Sequence, residues 1–192
     1  MLETLESLDQ ALFLYLNGLH NDFLDLTMLW ISNKFIWIPF YLGLLVLIVR
    51  KHEWRSLIII IPILILLITL SDQISVQIFK NGFERLRPCH NEDLKNLVHL
   101  VGNCGGKFGF ISSHACNTFA LSAFIIYVMK SKSLVYIMIV WAVVVSYSRI
   151  YLGVHYPADV LIGALIGWLI GYVVWNITKS ANSRLDYILS YD

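Results

Sequence analysis

The run "SLIIIIPILILLITL" (residues 56–70) has no polar face. A helix that is apolar all round is not a surface helix; it is wholly buried or lies in lipid. The run "VLIGALIGWLIGYVVWNIT" (160–178) is nearly as uniform. Crossing a bilayer takes roughly 20 apolar residues, and several segments of this chain come close to that. Composition agrees, with 58% hydrophobic and only 14% charged residues, against about a quarter charged in a soluble domain. The chain is an integral membrane protein.

The expected fold is all-α: one membrane domain over residues 1–192, a polytopic bundle of about five to six transmembrane helices. Spans are placed at about 35–50, 56–79, 112–130, 134–151 and 157–177, with a polar loop at 80–111. Residues 1–33 alternate short apolar groups with Glu3, Glu6, Asp9, Asp22 and Asp25, which reads as an interfacial amphipathic helix. The start "MLETLESLDQ" lacks the basic head and short apolar core of a signal peptide, so the first membrane helix is expected to direct targeting.

Basic residues orient the bundle. "RKHEWR" (50–55), "KSK" (130–132), Lys179 and Arg184 fall on one side, taken as cytoplasmic. The outer loop breaks the rule, because it holds Lys80, Arg85, Arg87, Lys95 and Lys107. Cations clustered on the wrong side point to a task other than topology. The net charge of +1 gives no reason to expect a nucleic-acid partner.

Three polar stretches meet at that outer boundary: "KNGFERLRP" (80–88), "FISSHA" (110–115) and "SRIYLGVHYPAD" (148–159). Ser112 or Ser113 suits an N-cap, and Pro157 suits a first helical turn. Two helix N-termini are therefore expected on one level, each able to bind an anion through free amides and a partial positive charge. Lys80, Arg87 and Arg149 add full charges, and an arginine engages phosphate oxygens in bidentate fashion. His155 and Asp159 are four apart at a helix start, so the carboxylate can take the imidazole Nδ1–H and leave Nε2 free to attack. His114, on another helix, is placed to act as a general acid.

These residues resemble the type 2 phosphatidic acid phosphatase superfamily, whose signature reads K-x6-R-P, then P-S-G-H, then S-R-x5-H-x3-D. Lys80 with Arg87 and Pro88 match the first part, and Ser148, Arg149, His155 and Asp159 match the last, both with spacing intact. The middle part reads "ISSH": Ile111 stands for the proline and Ser113 for the glycine, while Ser112 and His114 are kept. The resemblance implies catalytic roles for three residues. His155 attacks phosphorus, Asp159 orients it, and His114 protonates the leaving group and then activates water. Lys80, Arg87, Ser112, Ser113 (through its N–H) and Arg149 would bind the phosphoryl oxygens. No metal or other cofactor is implied.

The implied partner is a membrane lipid phosphate in the bilayer. Small size and short loops are similar to bacterial members, which places the chain in an inner membrane with its site facing the periplasm or exterior. Undecaprenyl diphosphate is the first expected substrate. Phosphatidylglycerophosphate, phosphatidic acid and lipid A phosphates follow, and a lipid phosphotransferase differs only in the acceptor. An anion transporter would bring inverted repeats or broken helices in both halves, and none is visible. The vanadium-dependent haloperoxidases share the motifs but are soluble and larger.

Further features remain open at this level. Cys89 and Cys104 both lie in the outer loop, where an oxidising compartment permits a disulfide that would pin Arg87; free thiols are the alternative. Cys116 reads as a packed thiol. A zinc site from Cys89, His90, His99 and Cys104 lacks a recognised spacing. Gly163, Gly167 and Gly171 form a GxxxGxxxG row that lets membrane helices approach closely, and packing within one chain is favoured over dimerisation. Asp72, inside a span, either lines a substrate pocket or pairs locally. Oligomeric state is not legible.

Overall fold

A computed structural model describes residues 2–181. Its helices are α1 (Leu2–Asn17), α2 (Asp22–Ser32), α3 (Ile38–His52), α4 (Leu57–Gln73), α5 (Asn81–Phe83), α6 (Ser113–Met129), α7 (Lys132–Tyr151) and α8 (Pro157–Ala181). No β-strand occurs among the described residues. The protein is a polytopic all-α membrane bundle.

Four helical stretches are long and apolar enough to cross a bilayer: Lys34–His52, Trp54–Phe83, Lys132–Tyr151 and Pro157–Ser180. The fifth expected span is the 17-residue α6. At 1.5 Å per residue it is about 25 Å long, shorter than a hydrocarbon core of about 30 Å. It can be short because it faces protein rather than lipid. Ala115, Cys116, Ala120 and Phe124 along it are fully buried. The 30-residue stretch Trp54–Phe83 is one rod. Within it α4 widens into a π-helix over Ile74–Lys80 before α5, and nothing in "ISVQIFK" announces the change.

The basic turns lie together at one end, where Lys51 Nζ donates to the Met129 carbonyl at 2.7 Å. Lys179 lies in the last turn of α8; Arg184 lies outside the described residues. At the other end the 80–111 segment meets the starts of α6 and α8.

The glycine row is a seam inside this chain. A Cβ on Gly163 would fall 2.8 Å from the Ser112 carbonyl oxygen, one on Gly167 would fall 2.1 Å from that of Cys116, and one on Gly171 would fall 2.4 Å from that of Ala120. The backbones of α6 and α8 therefore touch, as small residues at spacing four allow. Behind the seam, Ile48, Ile60, Leu67, Phe124 and Met138 fill the core between the spanning helices.

The N-terminal segment differs from a simple interfacial helix. It forms two helices, joined after Asn17 and restarted by Asn21, whose side chain accepts the Leu24 N–H. One face of α1 is apolar and exposed, with Leu5, Leu8 and Leu12 at 58%, 61% and 48%. The opposite face is buried against the active-site end, with Phe13 packed on Tyr156 at 5.4 Å. Asn17 fastens it, donating to the Tyr151 carbonyl at 2.8 Å and accepting the His99 N–H at 2.8 Å.

Candidate active site

The three motifs converge at the end of the bundle opposite the basic turns. His155 is buried, and its Nδ1 lies 3.4 Å from Asp159 Oδ2. Asp159 is fully buried on the first turn of α8 and also accepts the Tyr156 N–H at 3.0 Å. His114 lies on the first turn of α6, within electrostatic reach of Arg149, His155 and Lys80. Its Nε2 faces the Ser32 carbonyl at 3.3 Å. Arg149, in the last turn of α7, donates to the Ser32 hydroxyl and keeps a buried Nε without a partner among the described residues. Burial of the His155 ring, reinforced by the Arg87 and Arg149 charges, pushes its imidazolium down to about 4 against the pull of Asp159. The ring is therefore neutral near pH 7, as a nucleophile requires.

Each expected phosphate-binding residue sits at this site, though not all face it alike. Lys80 Nζ donates to the Ser113 hydroxyl at 2.7 Å, and that hydroxyl also meets Ser75 Oγ at 2.7 Å. The serine that replaces a motif glycine thus anchors the motif lysine. Arg87 donates Nη1 to the Cys104 carbonyl at 2.6 Å and Nε to the Phe108 carbonyl at 3.2 Å. Ser112 is the N-cap of α6 and is fully buried. Its hydroxyl accepts the Ala115 N–H at 3.4 Å, and its own N–H donates to the Asp159 carbonyl at 3.0 Å. Its polar groups tie α6 to α8 instead of facing the mouth, because the glycine seam brings the two backbones into contact.

The expectation of two open helix N-termini needs a second correction. The start of α6 leaves the Ser113 and His114 amides without an intrahelical acceptor. The start of α8 is closed by carboxylates: the Ala158 N–H donates to Asp9 Oδ1 at 2.8 Å, and Pro157 has no N–H to offer.

Cys89 and Cys104 are joined as a disulfide with Cα atoms 6.1 Å apart. The bridge closes the loop whose Cys104 carbonyl holds Arg87. Cys116 is a free, buried thiol. Among the described residues no group of three or more His, Cys, Asp or Glu side chains is arranged to hold a metal ion. The Asp72 carbonyl accepts the Ser75 hydroxyl at 2.8 Å, and its carboxylate is in electrostatic range of Lys80.

Sequence reasoning missed three residues here. Arg85 donates to Asp159 Oδ1 at 2.8 Å and to Asp9 Oδ2 at 2.7 Å, and Ser32 meets both Arg149 and His114. The signal for Arg85 in the sequence was its place among cations that run against the expected topology.

A buried imidazole with a carboxylate behind it and cations around it has the make-up that phosphoryl transfer requires. Residues 61–183 match the PAP2 superfamily, and the chain belongs to that family; it is a PAP2-type membrane phosphatase. It is similar to a lipid A 4'-phosphatase of Bacteroides thetaiotaomicron, with 36% identity over 97% of this chain and 84% of the relative. A lipid A 4'-phosphatase of Porphyromonas gingivalis is 34% identical over 95% of this chain and 78% of its own length. The crystal structure of a transmembrane PAP2-type phosphatidylglycerolphosphate phosphatase from Bacillus subtilis has the same fold. Its TM-score is 0.72 at 22% identity, covering 94% of this chain and 89% of that one.

Proposed function

We propose that this phosphatase removes a phosphate from a lipid at the outer face of a bacterial inner membrane, and that a lipid A-type phosphosugar is its substrate. The observation that carries the reaction is the buried His155–Asp159 pair, whose geometry points Nδ1 at the carboxylate and leaves Nε2 for attack. Near-full-length similarity to two lipid A 4'-phosphatases supports the substrate choice over undecaprenyl diphosphate, the first expectation from sequence.

In the proposed reaction Nε2 of neutral His155 attacks phosphorus while His114, as the acid, gives its proton to the departing sugar oxygen. The P–O bond to the lipid breaks as the P–N bond forms. His114, now neutral, takes a proton from water, whose oxygen attacks the phosphohistidine and releases inorganic phosphate. Asp159 offsets the charge that grows on the imidazole. Lys80, Arg87, Arg149 and the first-turn amides of α6 hold the equatorial oxygens where negative charge builds. The cations supply the stabilisation that a metal gives in other phosphatases.

A cavity of about 440 Å³ supports a lipid substrate. It lies between spanning helices, with Tyr41, Leu44, Ile61, Ile65 and Trp141 on its apolar walls. Thr118, also on its wall, donates to the His114 carbonyl at 2.8 Å, so the cavity begins one turn below the proposed acid. An acyl chain is suited to such a space.

The test is inorganic phosphate release by the detergent-solubilised protein with EDTA present. The panel is 4'-phosphorylated lipid A, undecaprenyl diphosphate, phosphatidylglycerophosphate and phosphatidic acid, with His155→Ala as the blank. Release that needs His155 and is fastest from lipid A supports both parts. Faster release from undecaprenyl diphosphate removes the substrate assignment alone. Release by His155→Ala at the wild-type rate removes the nucleophile.

A further inference from the structure

We propose that Arg85 and Asp9 are positioning residues for the nucleophile: an Asp9–Arg85–Asp159 chain, begun on an N-terminal helix outside the family match, holds the carboxylate that orients His155. The proposal rests on His155 being the nucleophile.

The geometry is specific. Arg85 divides its guanidinium between two carboxylates, with Nη1 2.8 Å from Asp159 Oδ1 and Nη2 2.7 Å from Asp9 Oδ2. The Arg85 Cζ lies over the Tyr156 ring, 4.1 Å from its centroid. Two hydrogen bonds from one planar fork are what arginine offers and lysine does not. The Arg85 carbonyl is in turn fixed by the Gly109 N–H at 2.8 Å.

Division of labour within Asp159 follows. Oδ1 is held by Arg85, while Oδ2 is left for the Tyr156 N–H and His155 Nδ1. Gly109 lies against that oxygen, where a Cβ would be 3.2 Å away. Rotation of the carboxyl group is therefore resisted on both oxygens. Asp9 does two further things: it holds the second arm of Arg85, and its other oxygen caps Ala158, next to Asp159 on α8. Arg85 and Asp9 are largely buried, at 21% and 11% side-chain exposure, so solvent competes little for their bonds.

Electrostatics gives the chain a signature that mere scaffolding lacks. The charged and titratable groups facing His155 are Asp159 on α8, Arg149 on α7, Arg87 in the outer loop and His114 on α6. Behind Asp159 stands the Arg85 cation, balanced by Asp9. Removal of that cation leaves Asp159 a stronger partner for the imidazolium, so His155 must gain a proton more easily.

The full-length protein in detergent, labelled with 15N-histidine, tests this without any substrate. His155 is assigned by its absence in His155→Ala, and its titration is compared in wild type, Arg85→Met and Arg85→Lys. Arg85→Met is expected to raise the His155 midpoint by at least about one pH unit, and Arg85→Lys to return part of that shift. An unchanged midpoint in a folded Arg85→Met protein overturns the proposal. In the 4'-phosphorylated lipid A assay, kcat of Arg85→Met should fall about a hundredfold, with KM within about threefold and the acid limb moved upward. Because asparagine keeps an oxygen for the Ala158 N–H and loses only the charge that holds Arg85, the double variant Asp9→Asn/Arg85→Met should be no slower than Arg85→Met alone; a further large loss overturns the chain. An inactive His155→Ala beside unaltered Arg85 variants sinks this proposal only. An active His155→Ala sinks the reading on which it rests.

Discussion

Two helices start at the same level of this protein and are finished in opposite ways. At α6 the cap is a neutral serine, and the Ser113 and His114 amides are left without an intrahelical acceptor. At α8 the first N–H, that of Ala158, is taken by Asp9, and a second carboxylate, Asp159, is on the first turn. In the proposed function one helix end is kept for the charge of a substrate. The other is filled with the protein's own negative charge, which serves the imidazole beside it. Motif spacing makes the two ends look alike; the difference lies in what reaches them from the N-terminal helices.

The largest expected effect breaks the α8 side. His155→Ala should lower kcat by about 10⁴-fold or more while leaving membrane insertion intact, as phosphate release and size-exclusion elution would report. The α6 side should be less severe: His114→Gln is expected to cost about 10² to 10⁴ in kcat, and less when the lipid is replaced by one with a better leaving group. A similar loss for good and poor leaving groups would remove His114 as the acid.

The pH response sharpens the contrast. His155 has its folded-state value pushed below the ordinary 6.5 to about 4. The unfolded chain therefore takes up this proton first. The stability held by the neutral ring is fully present above about pH 6.5 and is lost as pH falls toward 4. The nucleophile should likewise stay competent down to about pH 4, so an acid limb in kcat/KM near pH 6.5 would show that burial does not set its basicity. Measured unfolding midpoints from pH 4 to 8 check the first statement, and a pH–rate profile checks the second.

A smaller effect is expected from Ser113→Gly, which restores the family's motif but removes the hydroxyl that holds Lys80. KM should rise by about tenfold, the worth of a hydrogen bond to a charged group, with kcat nearly unchanged. Smallest of all is Lys95→Ala. Lys95 is paired with Glu92 on the exposed surface of the 80–111 segment, and an exposed pair of this kind contributes little. Activity and stability should not move, in contrast to Lys80, Arg85 and Arg87 in the same segment.

That segment also shows how far the sequence can be read. Lys80, Arg87, His114, Arg149, His155 and Asp159 were legible because motif spacing along the helices fixes them relative to one another. The membrane class was legible because apolar runs admit no other solvent. Arg85, Asp9 and Ser32 were not, since they meet their partners across 74 to 149 residues, most of them by way of two N-terminal helices. Those helices present a leucine stripe outward, and that stripe reads as an interfacial helix whatever the opposite face does. The π-helical turns before Lys80 left no trace either, because helix propensity does not distinguish one register of hydrogen bonding from another.

The glycine seam sets a mechanical limit on the membrane's influence. Proposed acid and nucleophile ride at the ends of two helices in backbone contact, one of them walled off from lipid. A bilayer that thickens or thins presses first on helices whose sides face the acyl chains, such as α3 and α4, and can tilt the α6–α8 pair only as a unit. The gap between His114 and His155 is therefore a property of the chain, while access to it belongs to the membrane.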